Sequence, residues 1–134
     1  MLKMAVSLGL MLLVATQAVA QERPAYMVAE VDVTDQGTYQ KYIDGATPIV
    51  KKFGGHFVSR GDKIEEFAGT PSHRVAIYEF PSLAQAEAYR DSTDYKTIIP
   101  YRDNGSKYRA FIVDGIAGAS DAGRAIIGAM GGLR

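Results

Sequence analysis

The chain has 134 residues, enough to bury one hydrophobic core and too few for two. Its 15 basic and 15 acidic residues cancel, and Lys51-Lys52 is the only adjacent Lys/Arg pair, which argues against a nucleic-acid binder with a basic stripe. The absence of cysteine excludes disulfides, thiol nucleophiles and zinc fingers. With only His56 and His73, no metal site and no cofactor are expected.

The first segment reads as a leader. Lys3 precedes an apolar run from Met4 to Val14, broken only by Ser7 and Gly9. Ala18-Val19-Ala20 then supplies small residues before polar Gln21-Glu22-Arg23. This is the layout of a secretory signal peptide over 1–20, with cleavage expected after Ala20. The apolar run is shorter than the roughly 20 residues that span a bilayer, so a retained anchor is the lesser reading. A secreted or periplasmic domain over 21–116 is expected, free of the membrane after cleavage.

Within it, Ala25 to Val33 alternates as a strand does. Met27, Ala29, Val31 and Val33 share one face; Tyr26, Val28, Glu30 and Asp32 share the other. Thr34-Asp35 start a helix whose apolar stripe runs Tyr39, Tyr42, Ile43, Ala46, Ile49, Val50, Phe53. Pro48 is expected to kink or split it, and Gly54-Gly55 to end it. His56 to Arg60 is a short strand, Gly61-Asp62 a turn, and Lys63 to Phe67 the possible second arm of a hairpin.

His73 to Phe80 is an interior strand. Val75, Ile77 and Glu79 lie on one face and Ala76, Tyr78 and Phe80 on the other. Ser82 and Gln85 form a capping box for a helix with Leu83, Ala86 and Tyr89 on its apolar side. Asp94 to Arg102 adds a further turn or two, stopped around Pro100 and Asn104-Gly105, and Lys107 to Ile116 is the last strand. From Ala117 the composition turns to Gly and Ala, and 117–134 is expected to be a flexible tail.

The order β-α-β-β-α-β predicts a ferredoxin-like α+β fold, an antiparallel sheet with helices on one face. Its other face keeps apolar residues and calls for a cover, most simply a second copy.

Particular residues carry a resemblance. Tyr26 through Asp32-Val33-Thr34-Asp35, then Tyr39 and Tyr42, Gly54-Gly55, Arg60-Gly61, and Arg74-Val75 through Glu79-Phe80-Pro81-Ser82 form one set. Ser92, Tyr95 and Arg102 complete it. Together they resemble the domain of unknown function 1330 family over about 90 residues. The resemblance implies a dimeric α/β barrel, in which two ferredoxin-like sheets pack face to face. Relatives of that architecture include cofactor-free monooxygenases, muconolactone isomerase-like enzymes and haem-handling proteins. The chain departs from the family pattern in its leader, at His56, and at Asp62, which replaces a second glycine.

A homodimer is therefore expected, holding a small organic molecule between its paired sheets. Glu30 and Glu79 are candidates to project into that space, where burial would raise a carboxyl pKa and equip it as a base. The plainer reading pairs each with Arg60 or Arg74. Glu79 and His56 are the candidate catalytic bases if the domain is a cofactor-independent monooxygenase- or isomerase-like enzyme. Glu30, Arg60, Tyr78, Tyr95 and Arg102 are the candidate ligand contacts, with Arg60 able to clamp an anion by its two-pronged guanidinium.

Overall fold

The computed structural model describes residues 23–118, so the expected leader and all but the first two residues of the expected tail lie outside the described part. Four strands and three helices follow in the order β1 (Ala25–Val33), α1 (Gln36–Lys52), β2 (His56–Gly61), β3 (Arg74–Phe80), α2 (Leu83–Asp91), α3 (Thr93–Gly105) and β4 (Ser106–Asp114). The strands form one antiparallel sheet in the order β2-β3-β1-β4, and the fold is ferredoxin-like α+β as the element order predicts.

Local chemistry sets the helix ends. Asp35 caps α1, its carboxylate accepting from the Thr38 amide at 2.6 Å. The Ser82 hydroxyl accepts from the Gln85 amide at 3.2 Å and starts α2. Ser92 serves two helices at once. Its Oγ donates to the Tyr89 carbonyl at 2.8 Å, closing α2, and accepts from the Tyr95 amide at 3.1 Å, opening α3.

Both prolines sit inside helices without ending them. α1 runs through Pro48 to Lys52, and α3 runs through Pro100 to Gly105. Each proline forgoes one backbone hydrogen bond, a cost of about 3 kcal/mol in a helix interior. Tertiary packing offsets it: α1 buries Tyr42, Ala46 and Val50, and α3 buries Tyr95 and Ile98 around the proline positions. Of the expected stops around Pro100 and Asn104-Gly105, the helix ends at the second. The expected hairpin arm over Lys63–Phe67 is also absent, and that segment is irregular and exposed apart from half-buried Ile64. Lys63, Glu65 and Glu66 give it no apolar face to bury.

The strand faces divide as their alternation predicts. Ala25, Met27, Ala29 and Val31 of β1, with Ala76, Tyr78 and Phe80 of β3, are buried beneath the helices. They join Tyr39, Tyr42, Tyr89, Tyr95 and Ile98 in a core unusually rich in tyrosine. Among the described residues no element covers the opposite face. Ile77, Val28 and Phe111 sit side by side across it, with Glu30 opposite Arg109 one row below.

Candidate functional site

A half-open cavity of about 610 Å³ lies on the helix side of the sheet, between α2, α3 and the edge strand β4. Met27 of β1 and Tyr108, Ala110 and Ile112 of β4 form its floor; Leu83, Glu87 and Arg90 of α2 and Tyr95 and Arg102 of α3 form its wall. Met27, Tyr108, Ala110 and Ile112 reach it because they occupy alternate positions on the helix face, and Phe111, from the other face of the edge strand β4, also borders it.

One end of this cavity gathers a guanidinium and phenol hydroxyls. Arg102 Nη1 donates to the Tyr95 hydroxyl at 3.0 Å, and its guanidinium lies 4.7 Å above the Tyr108 ring. Behind them the Tyr42 hydroxyl lies 3.3 Å from that of Tyr95 and 3.4 Å from that of Tyr108. Burial pushes the Tyr42 and Tyr108 phenols well above their ordinary pKa, reinforced by the neighbouring tyrosines, so both stay protonated at neutral pH. Burial opposes the Arg102 cation, but hydrogen bonds to Asp103 and Tyr95 outweigh it and its pKa rises. Glu87, the one carboxylate among the lining residues, is exposed at the wall. The site is thus an apolar chamber with a cation and phenolic protons at one end, suited to an oxygen acceptor or an anion.

Of the residues singled out from the sequence, Tyr95 and Arg102 meet here. The others are dispersed. Glu30 and Glu79 lie on the helix-free face, on the far side of the sheet from the cavity. Glu30 pairs with Arg109, its cross-strand neighbour, rather than with Arg60 or Arg74. Glu79 is half-buried between His56 on β2 and Tyr26 on β1, and its charge, after burial, raises the Tyr26 pKa. His56 is exposed at the start of β2. Tyr78 is a core residue, 1% exposed, with its ring 4.5 Å from that of Phe57.

Arg60 is the instructive case. Plain alternation from His56 would place it on the helix-free face with Glu79. A bulge intervenes, because Phe57 opposes Tyr78 and Ser59 opposes Ile77, leaving Val58 as an extra residue. The phase of the strand flips, and Arg60 falls on the helix side opposite Ala76. The expected single cluster of Glu30, Glu79, Arg60 and tyrosines is therefore split across the sheet. Tyr108 and Met27 were the contacts a sequence reading passes over. A period of two through β4 signals Tyr108, Ala110 and Ile112, but nothing local marks that face as a cavity floor.

Among the described residues no three or more His, Cys, Asp or Glu side chains come together as a metal site, and no helix is long and apolar enough to cross a membrane.

The family model of the domain of unknown function DUF1330 matches residues 24–116, all four strands and all three helices. The chain belongs to the DUF1330 family. No curated protein sequence matches it. Among solved structures, this DUF1330 chain is similar to a protein of unknown function from Rhodopseudomonas palustris, with a TM-score of 0.59 and 19% identity over 71% of this chain and 84% of that one. It is also similar to a dabb family protein with a ferredoxin-like fold from Mesorhizobium loti, at TM-score 0.52 and 14% identity over 71% and 99%. SnoaB, a cofactor-independent oxygenase from Streptomyces nogalater, matches at TM-score 0.51 and 11% identity over 68% and 91%. At these identities the likeness is one of fold.

Proposed function

We propose that this DUF1330 chain is a small-molecule-binding domain whose ligand occupies the cavity between the helices and the sheet. The ligand class is an apolar, ring-sized compound ending in a carboxylate, enolate or carbonyl oxygen. Met27, Leu83 and Ile112 hold its body; Arg102, Tyr95 and Tyr108 hold the oxygen. One observation carries this reading. A guanidinium and two phenol groups share the end of a chamber of about 610 Å³ whose remaining strand lining is apolar, within the usual range for small-molecule sites.

The probe is 1-anilinonaphthalene-8-sulfonate, a pair of aromatic groups carrying one anion. Its fluorescence should rise on binding, Arg102→Met should weaken binding tenfold or more, and Ala110→Trp, which fills the chamber, should abolish it. Unchanged binding in both variants refutes the reading. Turnover of a screened substrate that is lost in these variants would instead make the domain an enzyme, the alternative that the oxygenase neighbour brings to mind. In that case Glu79 and His56, across the sheet, would not be its bases.

The same reading includes a homodimer formed through the helix-free face and working outside the cytoplasm. Val28, Ile77 and Phe111 make a stripe across that face, and Phe111 stays 48% exposed in the single chain. An uncovered apolar sheet face of this kind favours a partner, and a second copy offers the same stripe in return. Light scattering should give twice the chain mass, and Phe111→Lys should halve it. A wild-type monomer at micromolar concentration refutes the pairing. The leader-like 1–20 supports export, which N-terminal sequencing of the protein recovered from a secreting host would test by a start at Gln21.

A further inference from the structure

A second pocket, of about 260 Å³, lies on the other half of the helix layer between α1, β2 and β3. It shares no residue with the larger cavity. Arg60 and Arg74 line it together with Tyr39, Gln40, Ile43, Asp62 and Ala76. The bulge at Val58 creates this arrangement. It turns Arg60 to the helix side opposite Ala76, two residues from Arg74 on the neighbouring strand. Two cations thus stand diagonally across one antiparallel pair, at a spacing that long side chains can bridge.

The described arginines differ in their partners. Arg23, Arg90, Arg102 and Arg109 each pair with a carboxylate. Among the described residues Arg60 and Arg74 have none within 4.0 Å, although Asp62 lines the same pocket. Aromatic rings hold them instead. Arg60 Cζ lies 4.5 Å over the Phe57 ring, and Arg74 Cζ lies 5.7 Å over the ring of Tyr39. Ring contacts leave most of a guanidinium's five donors uncommitted.

We propose that Arg60 and Arg74 form an oxyanion site in this pocket, taking a small dicarboxylate or a phosphate. Both ligands present two or more oxygens to two guanidinium forks. Tyr39 and Gln40 line the same pocket, the Gln40 amide donating to Asp44 Oδ1 at 2.8 Å. The site is independent of the larger cavity and of any ligand held there.

Inorganic phosphate and succinate, each titrated against sodium chloride at equal ionic strength, test it by nitrogen-15 NMR of the arginine Nε–Hε groups. The signals of Arg60 and Arg74 should shift with saturation in the millimolar range, while those of Arg90 and Arg109 stay in place. Saturation by either anion supports the site, and their relative affinities tell a carboxylate ligand from a phosphate one. Arg60→Gln/Arg74→Gln should weaken binding at least tenfold, and Ala110→Trp should leave it unchanged. Shifts centred on other arginines, no saturation with either anion, or equal binding by the double variant would overturn the proposal.

Discussion

Replacing Gly105 by alanine drives a methyl group into the backbone of α1. An added Cβ would lie 2.6 Å from the Tyr39 nitrogen, 3.0 Å from its Cα and 3.1 Å from the Thr38 carbonyl carbon. None of these can swing aside as a side chain could, so α3 must back away from α1. Overpacking of this kind costs about 1–3 kcal/mol. The Gly105 carbonyl also accepts from the Thr34 and Asp35 amides at 2.9 and 3.1 Å, and retreat of α3 strains both bonds, each contributing about 1 kcal/mol. Alanine returns about 0.4–1 kcal/mol through the unfolded chain, since Gly105 does not need a positive φ. The net expectation is a loss of about 2 kcal/mol, or a Tm lower by about 10 °C for a domain of this size. Urea unfolding followed by circular dichroism measures it. Gly61→Ala is the control, because an added Cβ there meets nothing within 4 Å. Equal stability of the two variants would refute the close approach of α3 to α1, and with it the rigid seating of Tyr95 and Arg102.

Two further outcomes follow from the tyrosine core. Burial raises the pKa of Tyr39, Tyr42, Tyr78, Tyr89 and Tyr108 above the ordinary 10.0, so the unfolded chain releases these protons while the folded chain keeps them. Their contribution is complete below pH 10 and is lost above it, by about 1.4 kcal/mol per pH unit for each tyrosine. Phenolate absorbance from these residues should then appear together with loss of helical circular dichroism, and reversible ionisation of every tyrosine in an intact fold would contradict it. The Tyr89 hydroxyl is buried without a partner at hydrogen-bonding geometry among the described residues. Tyr89→Phe removes that unsatisfied group and should raise stability by about 1 kcal/mol, whereas a loss of that size in thermal unfolding would mean the hydroxyl is bonded in solution.

Sequence alone determined the elements with a clear period and a local cap. Alternation in Ala25–Val33 and Arg74–Phe80 assigned the buried and open faces correctly, because a strand's two faces are set by position and only one can lie under the helices. Asp35 and Ser82 announced the starts of α1 and α2, because their side chains bond amides three residues on. Other features depend on contacts made between distant segments. Pro48 looks like a kink or break and Pro100 like a stop until the packing of α1 on α3 offsets their missing hydrogen bonds. The Val58 bulge is defined by its partner strand β3, and no pattern within β2 reveals that Arg60 has changed sides. Glu30 takes Arg109 as its partner from 79 residues away, by virtue of register. The cavity is of the same kind. Its walls come from β1, β4, α2 and α3, so neither the volume nor the grouping of Tyr95, Arg102 and Tyr108 exists until the sheet order β2-β3-β1-β4 brings them together.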